Sequence, residues 1–207
     1  MASRLVTPVL NALGGYSLQQ KNSFMLDSLG KKMFPEWLNI WDRPVSVGET
    51  GSRLFDSEGV ATAEMPIVEN GVVKEYFVNT YMSRKMGVEA TVEDATRPVV
   101  LPCFAPSVAE PVEATCGKEE LMRIVGEGIL VTGFNGGNSN SATGDFSFGV
   151  EGFLFKDGKI VHPVREMLIT GNLLTLWNNL LAAGNDARFC KSKLIPTLAF
   201  GNVDFSA

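Results

Sequence analysis

One histidine, His162, and three cysteines, Cys103, Cys116 and Cys190, hold the strongest intrinsic claim to metal or nucleophile chemistry in this chain of 207 residues. A lone histidine supplies no His-His pair, so a zinc site built within the chain needs other ligands. His162 lies in the alternating run Ile160-Val161-His162-Pro163-Val164, which reads as a strand residue facing solvent or a neighbour. The cysteines are odd in number and irregular in spacing. They fit reduced thiols in a cytoplasmic protein better than a disulfide frame. Cys103 and Cys116 have no partner spacing and read as structural.

The remaining chemistry sits between residues 133 and 147. Gly133-Phe134-Asn135-Gly136-Gly137-Asn138 lacks the Lys-Ser/Thr of a phosphate loop and does not open a helix. Asp145-Phe146-Ser147-Phe148-Gly149 approaches the serine-hydrolase elbow. Its first glycine is displaced to Gly144, however, and the single histidine would have to serve as base. The polar groups of Asn135, Asn138, Asn140, Thr143 and Asp145 admit two readings. Asn and Asp side chains fix loops by bonding the local backbone. The same amides can hold an extended peptide, which offers one donor and one acceptor per residue, and the glycines leave room for its approach. Asp56 and Glu58 form a close acidic pair that reads as a solvated turn.

The elements that must position these groups follow from periodicity. A helical stripe, Leu5, Val6, Val9, Leu10 and Leu13, ends at Gly14-Gly15. Phe24, Met25, Leu29 and Met33 form a second apolar stripe, read as core packing. Residues 38–44 suggest a short strand. Residues 63–68 and 72–79 flank Asn70-Gly71 as a hairpin with a type I′ turn. Residues 87–98 carry no clear pattern. A strand is expected at 99–104, a loop at 105–111 and an amphipathic helix at 118–125. Strands follow at 129–133, 146–155 and 159–170, the last two joined by Asp157-Gly158. A helix is expected over 172–183, with Leu173, Leu176, Trp177 and Leu180 inward, and a final strand over 194–205 containing Pro196. No domain boundary or repeat is visible. Hairpins alternating with single helices predict an α+β fold with a predominantly antiparallel sheet.

Bulk composition narrows the function classes. The chain is 45% apolar and 20% charged, with a net charge of −5. That is ordinary globular composition, and it lacks the basic footprint a nucleic-acid partner requires. No apolar run is long enough to span a bilayer, and no signal peptide opens the chain.

Several stretches together resemble the C-terminal domain of the TldD/PmbA family, whose members are also described as modulators of DNA gyrase. The likeness is closest to the PmbA (TldE) side. It is carried by Ser139-Asn140-Ser141-Ala142-Thr143-Gly144-Asp145-Phe146-Ser147, Pro163-Val164-Arg165-Glu166, Gly171-Asn172-Leu173 and Gly184-Asn185-Asp186. Asp56-Ser57-Glu58-Gly59-Val60-Ala61-Thr62 and the run from Asn79 to Gly87 add to it. The resemblance implies one C-terminal domain over 1–207, with the family's α/β N-terminal domain absent from this chain. It implies a part in a cytoplasmic TldD/TldE-type peptidase complex acting on small or unfolded peptides. There an HExxxH subunit carries the zinc, and the PmbA-like subunit completes the chamber. This chain has no HExxxH. Cys190 falls in the region of the peptidase side's ligand cysteine, but lies in Phe189-Cys190-Lys191-Ser192 without partners, so the chain is expected to be non-catalytic by itself. Asn138, Asn140, Thr143 and Asp145 are the candidate substrate-binding residues. The partners implied are the HExxxH subunit or a second copy of the chain, together with peptide. A stand-alone peptide-binding module is the alternative.

Scattered thiols and one imidazole lack ligand spacing. The purified protein is therefore expected to retain no stoichiometric zinc after dialysis against metal-free buffer, as read by elemental analysis. One zinc per molecule, lost in Cys190→Ser, is the contrary result.

Overall fold

The computed structural model describes residues 2–108 and 116–206. Helix α1 (Ser3–Ala12) buries Leu5, Val6, Val9 and Leu10, the stripe its spacing predicts. A short α2 (Gly15–Gln19) follows. The next apolar stripe lies in turns. Met25 is fully buried and Phe24 and Met33 pack on the core, whereas Leu29 is exposed. Strands β1 (Ile40–Asp42), β2 (Met65–Glu69) and β3 (Val72–Val73) come next. The hairpin turn has both central residues at positive φ, Asn70 at 51° and Gly71 at 74°, as a type I′ turn requires. A Cβ on Gly71 would sit 2.3 Å from the Phe34 carbonyl oxygen, so only glycine fits there. Helix α3 (Thr80–Met86) is capped by Asn79, whose side chain accepts from the Met82 N–H, and stops at left-handed Gly87.

The strand expected over 99–104 is two strands, β4 (Pro98–Val100) and β5 (Cys103–Phe104), in different sheets. Pro102 lies between them and cannot donate to a ladder. Of the loop expected over 105–111, residues 105–108 turn, and the remainder lies outside the described residues. Helix α4 (Lys118–Val125) has Glu119 and Glu120 in its first turn and Arg123 in its last, charges that complement the helix dipole. Then come β6 (Glu127–Phe134), β7 (Asn138–Ser139), β8 (Asp145–Lys156) and β9 (Lys159–Asn172). Strand β7 is hidden within the Asn-rich loop. The helix expected over 172–183 ends early. Helix α5 (Leu173–Asn178) gives way to strand β10 (Leu180–Ala183). The apolar run Leu180-Leu181-Ala182-Ala183 suits a strand buried between two others, and Leu180 reaches the core from either conformation. The final strand is also two, β11 (Leu198–Phe200) and β12 (Phe205–Ser206), separated by a turn with Asn202 at φ 51°.

Among the described residues there are three sheets, ordered β3-β2-β1-β4, β11-β10-β5 and β12-β9-β8-β6, with β7 added beside β8. Every pairing of named strands is antiparallel. The fold class is α+β, as the alternation of elements predicts. In β8 the side chains of Phe146, Phe148 and Val150 alternate into the core. Both neighbours bulge beside Glu151 and Gly152. A Cβ on Gly152 would lie 2.0 Å from the Leu130 carbonyl oxygen, so this close approach also demands glycine. In β9 the bulge falls at Arg165 and Glu166, and Glu166 takes φ 59°.

Trp177 ties the layers together. It is fully buried, meets Phe34 and Phe200 edge-on with ring centroids 6.5 and 5.5 Å away, and donates its indole N–H to the Leu5 carbonyl at 3.3 Å. The core around it draws on α1, β1, β2, β8, β9 and α5.

Asp42, at the end of β1, is buried and accepts from the Thr96 N–H at 2.9 Å and the Arg97 N–H at 2.6 Å. Burial is the largest influence on its carboxyl and raises its pKa, against those two hydrogen bonds. The buried guanidinium of Arg97 meets the Glu49 carboxylate. Truncating Asp42 strands two buried donors. Asp42→Ala is therefore expected to lower unfolding stability by about 2–4 kcal/mol, measured by urea titration, with Asp42→Asn milder because one acceptor remains. A loss in Asp42→Ala no larger than that of an exposed-site control would contradict this account.

Candidate functional site

The loop between β6 and β8 is held by a web of short bonds. Asn140 Oδ1 accepts from the Ala142 N–H at 2.9 Å, an Asx turn. The Asn140 N–H donates to the Asp145 carbonyl at 2.7 Å, and the Gly144 N–H to the Asn140 carbonyl at 2.8 Å. The Thr143 hydroxyl donates to Asp145 Oδ2 at 2.7 Å. Asn172 completes the web from across the sheet. Its Nδ2 donates to Asp145 Oδ1 at 3.0 Å and to the Thr143 carbonyl at 2.8 Å, while its Oδ1 caps α5 at the Leu174 N–H. Gly144 is buried against Phe24, and the Phe24 N–H donates to the Ser141 carbonyl.

This web separates the four candidate substrate-binding residues. Thr143 and Asp145 spend their polar atoms on each other and on Asn172. Asn140 spends its side-chain oxygen on the turn. Asn138 stands in β7 opposite Ser147, is exposed, and its amide makes no hydrogen bond among the described residues. Asn138, Ser139, Asn140, Asp145, Phe146 and Ser147 together line an open surface depression. Ser147 is no hydrolase nucleophile: it sits within strand β8, not on a strand-to-helix elbow, and His162 lies exposed far along β9 with Nδ1 3.1 Å from its neighbour's carbonyl, at Pro163. Sequence reasoning missed Asn172. Asn before a Leu-Leu pair at a helix start is an N-cap signal, but its reach to Asp145 is tertiary.

The other motif residues are brackets of the same kind. Asp186 accepts from the Thr197 N–H and hydroxyl, both at 2.7 Å. Asn185 Oδ1 accepts from the Cys116 N–H at 3.0 Å. Asp56 is not in a solvated turn. It is buried, its Oδ1 accepts from the Glu58 and Val60 N–H groups, and its Oδ2 accepts from the Glu93 N–H. Glu58 accepts from the Thr80 N–H at the start of α3.

The three thiols differ in exposure. Cys103 and Cys116 are buried and Cys190 is exposed. Burial pushes the Cys103 thiol up to about 11, and it raises that of Cys116 with help from the negative charges of Glu120 and Asp186. Thiolate, not thiol, binds zinc. Among the described residues no three His, Cys, Asp or Glu side chains converge as a ligand group, and no helix is long and apolar enough to cross a membrane.

The Asn172 amide first, then the Thr143 hydroxyl, hold the Asp145 carboxyl below its usual value. These bonds favour the charged form, so their contribution is complete above the ordinary carboxylate pKa and is lost as pH falls through the depressed one. Asn172→Ala is expected to return the Asp145 pKa toward the usual carboxylate value in an NMR titration. Loss of the helix cap should also lower stability by about 1–2 kcal/mol. An unmoved Asp145 titration would contradict the assignment.

Residues 1–207 match the family model of the PmbA/TldA metallopeptidase C-terminal domain. The sequence is 37% identical over 186 residues to a metalloprotease PmbA homolog of Haemophilus influenzae, covering 90% of this chain and 40% of that protein. It is 33% identical over 205 residues to metalloprotease PmbA of Escherichia coli O157:H7, covering 96% and 43%. It therefore spans about two fifths of the length of these curated relatives. A crystal structure of a candidate modulator of DNA gyrase from Bacteroides thetaiotaomicron superposes with a TM-score of 0.90 at 47% identity, over 99% of this chain and 44% of that one. TldE from Thermococcus kodakarensis shares the fold, with a TM-score of 0.81 at 22% identity over 96% of this chain and 46% of its own. The protein belongs to the PmbA/TldD metallopeptidase family, and its match is to that family's C-terminal domain.

Proposed function

We propose that this chain is the PmbA/TldE-like C-terminal domain of a cytoplasmic zinc metallopeptidase complex of the TldD/TldE type, non-catalytic by itself. A partner subunit with HExxxH supplies the metal, and the substrates are small or unfolded peptides. The observation that carries the reading is the match of all 207 residues to a metallopeptidase C-terminal domain in a sequence with a single histidine and no HExxxH. Peptide hydrolysis near neutral pH needs an activated water and a stabilised oxyanion. Zinc on the partner supplies both when bound.

In this reading the loop holds substrate instead of cutting it. Asn172, Asp145 and Thr143 fix the loop. That leaves the Asn138 amide and the Asn140 Nδ2 at the rim of the depression, free to bond the donors and acceptors of an extended peptide. Binding through backbone groups suits substrates of varied sequence.

The test is a peptidase assay on the chain alone, on the full-length protein, and on the full-length protein mixed with an HExxxH subunit. Chelator-sensitive activity is expected only in the mixture. Asn138→Ala is expected to lower kcat/KM by roughly tenfold, the worth of one to two hydrogen bonds, with unchanged thermal stability. Cleavage by the chain alone in the presence of chelator would overturn the proposal. Peptide binding with no activity in any mixture would favour a stand-alone binding module.

A further inference from the structure

We propose that Asn135 is a site of spontaneous deamidation and isomerisation, and that the other Asn-Gly step of the protein, at Asn70, is protected by the fold. The inference is independent of the peptidase reading. The sequence contains two Asn-Gly steps, Asn70-Gly71 and Asn135-Gly136. Glycine after asparagine leaves the backbone nitrogen open to the side-chain amide, because no Cβ shields it. The two steps are chemically alike and differ in how they are held.

At Asn70-Gly71 the nucleophile is occupied. The Gly71 N–H donates to the Leu38 carbonyl at 3.1 Å, and the Gly71 carbonyl accepts from the Met33 and Phe34 N–H groups. The Asn70 N–H donates to Asn39 Oδ1 at 2.9 Å. The turn lies against the Phe34 and Pro35 carbonyls, within 2.6 Å of where a Gly71 Cβ would be. Attack by the Gly71 nitrogen requires local opening of this packed turn.

At Asn135-Gly136 both residues are exposed, and none of the described residues lies within 4 Å of a Cβ built on Gly136. The Gly136 N–H makes no hydrogen bond among the described residues. Gly136 and Gly137 follow one another at φ 79° and 85°; Gly136 is open, whereas Gly137 packs on β8, where an added Cβ would lie 2.1 Å from the Ser147 carbonyl oxygen. The backbone is tethered on either side of the step. The Asn135 N–H donates to the Gly149 carbonyl at 2.7 Å, and the Gly137 carbonyl accepts from Arg4 Nη2 at 2.7 Å. The reacting pair thus sits in a short free span between two fixed points.

The chemistry is balanced without oxidant or cofactor. The Gly136 nitrogen, having given its proton to hydroxide, attacks Asn135 Cγ. A nitrogen–carbon bond forms, the bond between Cγ and Nδ2 breaks, and the amide nitrogen leaves as ammonia with a proton from water. Water then adds to either carbonyl of the cyclic imide. One opening leaves aspartate. The other leaves isoaspartate, with the backbone routed through the former side chain. Both place a carboxylate on the loop that Arg4 grips. Isoaspartate also lengthens the backbone between the Gly149 tether and β7, where Asn138 pairs with Ser147.

The experiment is incubation of the intact folded protein in mildly alkaline buffer, followed by peptide mapping with mass spectrometry and enzymatic methylation of isoaspartate. The expected result is conversion at Asn135 roughly tenfold or more faster than at Asn70, the factor set by the bonds that must open around Gly71. The denatured protein should convert at both steps alike. Asn135→Gln should abolish the fast methylation signal without unfolding the protein, as circular dichroism would verify. Conversion at Asn70 as fast as at Asn135 in the folded protein overturns the proposal. So does an Asn135 that stays intact over the time in which the denatured protein reacts.

Discussion

The side-chain amide of Asn172 is the constraint on which the site-bearing half of the molecule depends. One end caps α5, and the other grips the Asp145 carboxylate and the Thr143 carbonyl. The Leu173 N–H donates to the Gly144 carbonyl beside it. A helix of six residues has little stability of its own, so its direction is set by this clasp and by what it buries. Four residues on from Leu173 stands Trp177, whose indole reaches α1 and whose ring meets Phe34 and Phe200. The same amide therefore orders the polar loop on the surface and aims the largest side chain of the core.

Short polar side chains recur as brackets across the fold. Asp42, Asp56, Asn140, Asn172, Asn185 and Asp186 each accept from backbone N–H groups of a turn or of a neighbouring segment. With strands of two to five residues in two of the three sheets, ladders alone leave many connecting amides unpaired. Carboxylates and amides on short stems suit the task, because few rotatable bonds are frozen in making the contact.

Much of this architecture is legible in the sequence, and the limits have physical causes. The β8–β9 hairpin is plain because Phe146, Phe148 and Val150 alternate and Asp157-Gly158 marks the turn. Helix α4 is plain because its apolar residues repeat at three and four. The change from α5 to β10 is hidden, since Leu180 is buried under either geometry and only pairing with β5 and β11 decides between them. Within the loop, Asn140, Thr143 and Asp145 stand out by composition. What they bond is invisible, because the deciding partner, Asn172, is 27 residues from Asp145. Asp56 misleads for the same reason: its Oδ2 accepts from the N–H of Glu93, 37 residues away, which its neighbours do not announce.

The bulge at Arg165 and Glu166 has a consequence for solubility. Strand β12 covers β9 only at Leu168 and Ile169, so the span from 159 to 167 is an open edge on that side among the described residues. It carries the exposed apolar side chains Ile160 and Val161, the composition from which proteins zip edge to edge into aggregates. Pro163 removes one donor from that edge. The left-handed turn at Glu166 breaks its flatness and sets charge beside it. An incoming strand finds no run of evenly spaced amides long enough to extend. A second irregularity at Val161, where Phe155 pairs with Ile160 and Leu154 with His162, interrupts the same edge again, so three separate features keep it from pairing evenly with another strand.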